Sequence, residues 1–225
     1  MVQVAANTIL VYADITCPWA HLAVYRLHEA RRELGLVDDI RFDVRSFPLE
    51  LFNEQPTPKK ILDAEISVAG GLDPGAGWQM WQRPESEYPT TSLPALEAVQ
   101  AAKEQSLLAS EQLDRRLRVG FFGESRVISL RHEILDLARE CDAVDMDALA
   151  EALDSGRARG TVIEQKEFAE GDQVDGSPHV FLADGTNVHN PGIDMEWHGE
   201  HGEGFPMVRE DRPEIYRKLI EKAAS

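Results

Sequence analysis

A single cysteine stands in Thr16-Cys17-Pro18-Trp19-Ala20, directly after an apolar run and directly before a strong helical pattern. A second cysteine three positions on would make a dithiol pair that closes and opens as a disulfide. Ala20 occupies that place. At a helix N-terminus the unpaired N–H groups and the helix dipole favour negative charge, so the pattern predicts a thiolate at Cys17 below the free-thiol pKa of about 8.5. Only the thiolate attacks disulfides or electrophiles. His21 follows one helical turn later, and is either an imidazolium that adds to this effect or a helix-surface residue without a role in it. Without a second thiol nearby, a mixed disulfide at Cys17 has to be resolved by an external thiol, either a protein thiol or a low-molecular-weight one such as glutathione or mycothiol.

The elements around this motif read as follows. Thr8–Asp14 is a short run of β-formers, consistent with a buried strand. From Pro18 to Leu34 apolar residues recur at three- and four-residue steps. Pro18 suits a first helical position, and Gly35 supplies the stop. Asp39–Arg45 alternates as a strand with one buried face. Together these make a βαβ unit over residues 1–50, with a right-handed crossover.

Strand signals vanish over 51–168. Gly70, Gly71, Pro74, Gly75 and Gly77 read as a loop followed by Trp78 and Trp81. Helical patterns cover 92–105, 109–119, 129–141 and 145–156, and Phe121-Phe122-Gly123 reads as an aromatic plug with a glycine stop between two of them. Strands return at His179–Leu182 and Thr186–His189 around Asp184-Gly185, a hairpin turn signal. A helix with Pro213 early in it closes the chain over about 212–222. The expected architecture is α/β: a discontinuous β-α-β … β-β-α thioredoxin-like domain over 1–50 and 169–225, carrying a helical insertion over 51–168.

At this point the chain resembles the DsbA family of thioredoxin-fold proteins, in its cytoplasmic branch that holds FrnE-like oxidoreductases. The resemblance rests on Asp14-Ile-Thr-Cys17-Pro18-Trp19, on Leu117-Arg-Val-Gly-Phe121-Phe122 with Ile134–Glu140, and on Val174-Asp-Gly176-Ser177-Pro178-His179-Val180-Phe181. Two departures stand out: Ala20 replaces the second cysteine, and Ser177-Pro178-His179 replaces the more usual Val-Pro-Thr. The resemblance implies thiol–disulfide exchange with Cys17 as catalytic residue and a cis Pro178. It also nominates Pro18, Trp19, His21, Ser177 and Pro178 as substrate-binding, with the backbone before Pro178 pairing with an extended substrate. His179 faces either the site or away from it. Trp19 is a lid or a packing residue, and Asp14 is either a buried acid beneath the motif or a solvent-facing strand end.

The kappa-type glutathione transferase and 2-hydroxychromene-2-carboxylate isomerase group is also similar in architecture and lacks the second cysteine. It typically carries serine where this chain has Cys17. A non-catalytic binding module is a third reading.

The chain has 225 residues, 43% hydrophobic, and a net charge of −17. That length supports a sizeable core, and the charge disfavours nucleic acid and anionic membranes as partners. No segment reads as a targeting sequence or membrane span, so a cytoplasmic location is expected. The two cysteines lie far apart and read as free thiols, with Cys141 packed as a small apolar residue. No bound cofactor is expected, only a thiol co-substrate. His198, Glu200 and His201 sit in a glycine-rich stretch without the framing a metal site needs, so no metal is expected. No phosphate-binding glycine loop or serine-nucleophile elbow is present.

Overall fold

In the computed structural model, which describes residues 2–171, 173–200 and 203–225, all six residues of β1 (Thr8–Ala13) are buried. It lies at the centre of a four-stranded sheet of order β2-β1-β3-β4, so both its edges and both its faces are covered. Helix α1 (Pro18–Glu33) begins with Pro18 in its first turn and ends before Gly35, whose φ of +69° is the left-handed conformation a helix stop needs. It leads to β2 (Arg41–Ser46), parallel to β1, in which Phe42, Val44 and Ser46 are buried and the alternate residues are not.

Among the described residues, seven α-helices separate β2 from the next strand: α2 (Leu49–Phe52), α3 (Lys59–Leu72), α4 (Leu93–Lys103), α5 (Leu107–Glu124), α6 (Arg131–Ala138), α7 (Met146–Ser155) and α8 (Arg159–Ala169). Ser106 caps α5 by accepting from the Ala109 N–H, and Asp145 caps α7 by accepting from Asp147 and Ala148, each at 3.0 Å. Strand β3 (His179–Phe181) then pairs antiparallel with β1, and β4 (Asn187–His189) pairs antiparallel with β3 through the turn at Asp184-Gly185, where Gly185 has φ +88°. A two-stranded ribbon of β5 (Ile193–His198) and β6 (Phe205–Asp211) follows, and α9 (Glu214–Ala223) ends the chain.

The β-α-β … β-β-α order stands, with differences of detail. Gly70 and Gly71 lie inside α3 rather than in a loop. A Cβ on Gly70 would sit 3.2 Å from the Trp78 ring, so the glycine serves close packing. Phe121-Phe122-Gly123 lies inside α5, which continues to Glu124. A Cβ on Gly123 would come within 2.9 Å of the Gly77 carbonyl oxygen, so close approach again accounts for the residue. Helices α2, α3 and α8 and the β5–β6 ribbon carry no signal in the sequence reading.

One apolar cluster runs from Ile9, Val11 and Phe42 of the sheet through Leu22 and Leu27 of α1 to Leu96, Leu113, Leu117 and Ile134 of the inserted helices. A second, on the other sheet face, gathers Leu10, Tyr12, Phe47 and Phe181. Sheet and insertion therefore share a core. Arg26 of α1 adds a bidentate pair to Asp211 of β6, at 2.6 and 2.8 Å, and reaches Asp73 at 3.2 Å. Among the described residues no helix is long and apolar enough to cross a membrane.

Candidate functional site

Strand β1 ends at Ala13, and the chain turns over Asp14–Thr16 to deliver Cys17 as the residue capping α1, with φ −78° and ψ 117°. The turn is held from below. Asp14 is fully buried and accepts from the Thr16 N–H (2.7 Å) and hydroxyl (2.9 Å) through one oxygen. Its other oxygen accepts from the Leu49 N–H (2.8 Å) and the Ser92 hydroxyl (3.0 Å). Arg118 of α5, with no exposed surface, forms a bidentate pair with Asp114 and donates to the Asp14 carbonyl at 2.7 Å. The inserted helices thus fix the turn that carries the cysteine.

Facing the turn, the Ser177–Pro178 peptide bond is cis. The Asp14 N–H donates to the Ser177 hydroxyl at 2.9 Å, and the Cys17 thiol donates to the Ser177 carbonyl at 3.3 Å. Cys17, Ser177 and Pro178 therefore meet at one place.

The electrostatics differ from the expectation at Cys17. Its thiol is 5% exposed and is pushed up to about 12, first by burial and then by the Glu65 carboxylate, with Asp14 adding a little. The Ser177 hydroxyl and the Ala20 N–H of the first helical turn act the other way but do not compensate. A helix N-terminus stabilises a thiolate only to the extent that it outweighs desolvation, and here the sulfur is under cover.

Trp19 is buried, and its indole N–H donates to Glu65 Oε1 at 3.0 Å, joining α1 to α3. Burial raises the Glu65 pKa, opposed by that hydrogen bond. His21 is not an imidazolium beside the sulfur. Its ring stacks on Phe122 at 4.6 Å, meets the edge of Trp78 at 4.5 Å, and bonds the Ala76 carbonyl at 3.0 Å. Burial, aided by Arg118, lowers its pKa to about 3, so it is neutral at pH 7. Trp78 and Trp81 form an aromatic cluster with Phe121, Phe122 and Tyr88.

His179 is buried on Phe181. Its Nδ1 accepts from the Asp175 N–H at 3.0 Å, which leaves Nε2–H to donate to Asn187 Oδ1 at 3.2 Å. Cys141 is buried just beyond α6 with its sulfur 3.9 Å from the Leu137 carbonyl, and burial pushes its thiol up to about 11. His198 ends β5 with its ring near Phe205, while His201 lies outside the described residues.

Sequence reasoning missed Glu65 and the carbonyl contact of Arg118. Arg118 stands inside a segment that carried the resemblance, but Glu65 left no signal, because α3 meets α1 only in three dimensions.

The chain matches the profile of the DSBA-like thioredoxin domain over residues 8–200. No curated protein sequence matches it. Its fold is similar to that of the cytosolic disulfide reductase DsbM from Pseudomonas aeruginosa, solved with GSH, at TM-score 0.64 and 15% identity over 96% of this chain and 98% of that one. A probable DsbA oxidoreductase from Streptomyces coelicolor is similar at TM-score 0.67 and 16% identity, over 96% and 89%. A 2-hydroxychromene-2-carboxylate isomerase is similar at TM-score 0.57 and 17% identity, over 80% and 87%. With the profile covering most of its length, the chain belongs to the DSBA-like thioredoxin domain family.

Proposed function

We propose that this protein carries out thiol–disulfide exchange through Cys17 alone. The Cys17 thiolate attacks a disulfide, forming a mixed disulfide and releasing the other sulfur as a thiolate. An external thiolate then attacks the mixed disulfide and restores Cys17. The observation that carries this reading is the 3.3 Å contact between the Cys17 sulfur and the carbonyl of Ser177, the residue before the cis proline.

At rest that carbonyl accepts from the thiol, which favours the protonated form. An extended substrate whose N–H takes the same carbonyl displaces the thiol from its acceptor. The Ala20 N–H and the Ser177 hydroxyl, which favour the thiolate, stay in place. Exchange is therefore slow toward bulk reagents and faster toward a substrate that pairs with Ser177. The GSH in the DsbM structure supports a low-molecular-weight thiol, glutathione or mycothiol, as the resolving partner, and a reducing cytoplasm as the setting.

The burial and raised pKa of Cys17 also favour a second reading, a thioredoxin-fold binding module that performs no exchange. A transferase or isomerase acting on a bound thiol is the third, and for that reading a Cys17→Ser protein keeps its activity with added glutathione. The deciding experiment follows reduction of a disulfide-bonded peptide by glutathione with and without the protein. Acceleration that disappears in Cys17→Ser supports exchange. No acceleration, with the peptide still bound, supports the module.

A further inference from the structure

We infer that a cleft between α4, α6, α7 and α8 is a binding site for an amphipathic amine, with an apolar body and a protonated nitrogen directed at Glu97. Its volume of about 590 Å³ suits a small organic ligand, for which pockets of about 300–1,000 Å³ are usual. Leu93, Ile134, Leu153, Val162 and Ile163 supply an aliphatic lining, and Ile163 is 44% exposed.

Thr91, Ser129, Arg131 and Arg159 also line the cleft, and Glu97 is the carboxylate among the lining residues. It is 8% exposed, and one of its oxygens accepts from Arg159 at 2.9 Å. The other is buried and has no hydrogen-bond partner among the described residues. A buried carboxylate oxygen left in this way is costly and calls for a donor. Arg159 is a weak partner, since its side chain is 70% exposed and an ion pair facing water contributes little. Swinging outward, it would free the Oε2 atom that it now holds.

Charge favours an amine over an acid. The other cation on the wall, Arg131, faces water beside Asp154 at 2.8 Å, whereas Glu97 is buried, and the chain's net charge of −17 concentrates cations around it. Neither Cys17 nor Ser177 lines the cleft, so the site is separate from the thiol.

The test is calorimetric titration of the whole protein at pH 7 with 1-naphthylmethylamine, 1-naphthalenemethanol and 1-naphthaleneacetate, three probes sharing one apolar body. The amine is expected to bind saturably, one per chain, about tenfold tighter than the other two, as a charge-assisted hydrogen bond allows. Glu97→Gln should remove that preference. Arg159→Ala, by freeing the carboxylate, should tighten the amine a few-fold, a direction an indifferent apolar groove would not give. Ile163→Trp should weaken all three probes, and Cys17→Ser should change none. Equal binding of acid and amine, an unchanged amine affinity in Glu97→Gln, or no binding by any probe overturns the inference. Should Glu97→Gln fail to fold, an amine affinity that is unchanged or weaker in Arg159→Ala overturns it as well.

Discussion

The Cys17 sulfur lies 3.3 Å from the carbonyl oxygen of Ser177, a residue 160 positions further along the chain, and donates its proton to it. Sheet register creates this meeting: β3 follows Ser177-Pro178 and pairs antiparallel with β1, which leads into Cys17. The contact places the thiol against the loop that carries the cis proline, and burial, with Glu65 second, keeps it protonated.

The raised pKa has a sign that stability measurements read directly. Between the ordinary thiol value of about 8.5 and the folded value of about 12, the folded chain keeps a proton that the unfolded chain has lost. Stability therefore falls as pH rises through that window, by up to about 1.4 kcal/mol per pH unit from this group. Urea unfolding from pH 8 to 10 should show a shallower decline in Cys17→Ser than in the unmodified chain. Parallel curves would contradict the assignment.

Glu65→Gln removes the second-largest cause of the Cys17 shift while leaving an oxygen to accept from Trp19. Iodoacetamide alkylation of Cys17 at pH 8 should speed up a few-fold, less than the tenfold of a full pKa unit. The midpoint of thermal unfolding should barely move. Unchanged alkylation would show that Glu65 does not act on the sulfur.

Arg118 satisfies Asp114 and the carbonyl of Asp14 with no exposed surface. Arg118→Ala leaves a buried charge and a carbonyl without their donor, so urea unfolding should show a loss of about 3–5 kcal/mol. Arg118→Met combined with Asp114→Leu should recover much of that loss, because the charge is then removed together with its partner. A double variant as unstable as the single one would contradict this account of the pair.

Ala20→Cys tests what the missing thiol decides. A mixed disulfide at Cys17 should persist in the unmodified chain and clear without added thiol in Ala20→Cys, as followed by intact mass. Ala20 has no exposed surface, so the comparison also needs an unfolding curve showing that the larger side chain is accommodated.

The local grammar of the chain was readable where sequence neighbours decide structure. Pro18 and Gly35 bracket α1, residues 41–46 alternate because one face of β2 is buried, and Asp184-Gly185 makes the β3–β4 turn. Reading failed where a distant partner decides. Gly70 and Gly123 look like breaks but sit within helices, packed against Trp78 and Gly77. The positions of Cys17, Ser177 and Pro178 were legible through the resemblance. The ionisation of Cys17 and His21 was not, because burial is a property of the folded whole.

The measurement closest to the central claim is the intact mass of the folded protein after incubation with glutathione disulfide, with peptide mapping to separate Cys17 from Cys141. The account predicts one glutathione per chain, on Cys17, stable until reduced glutathione is added and then lost. No adduct on Cys17 in the folded chain, while the same chain in denaturant is modified there, would contradict exchange at this site and leave the fold as a binding module.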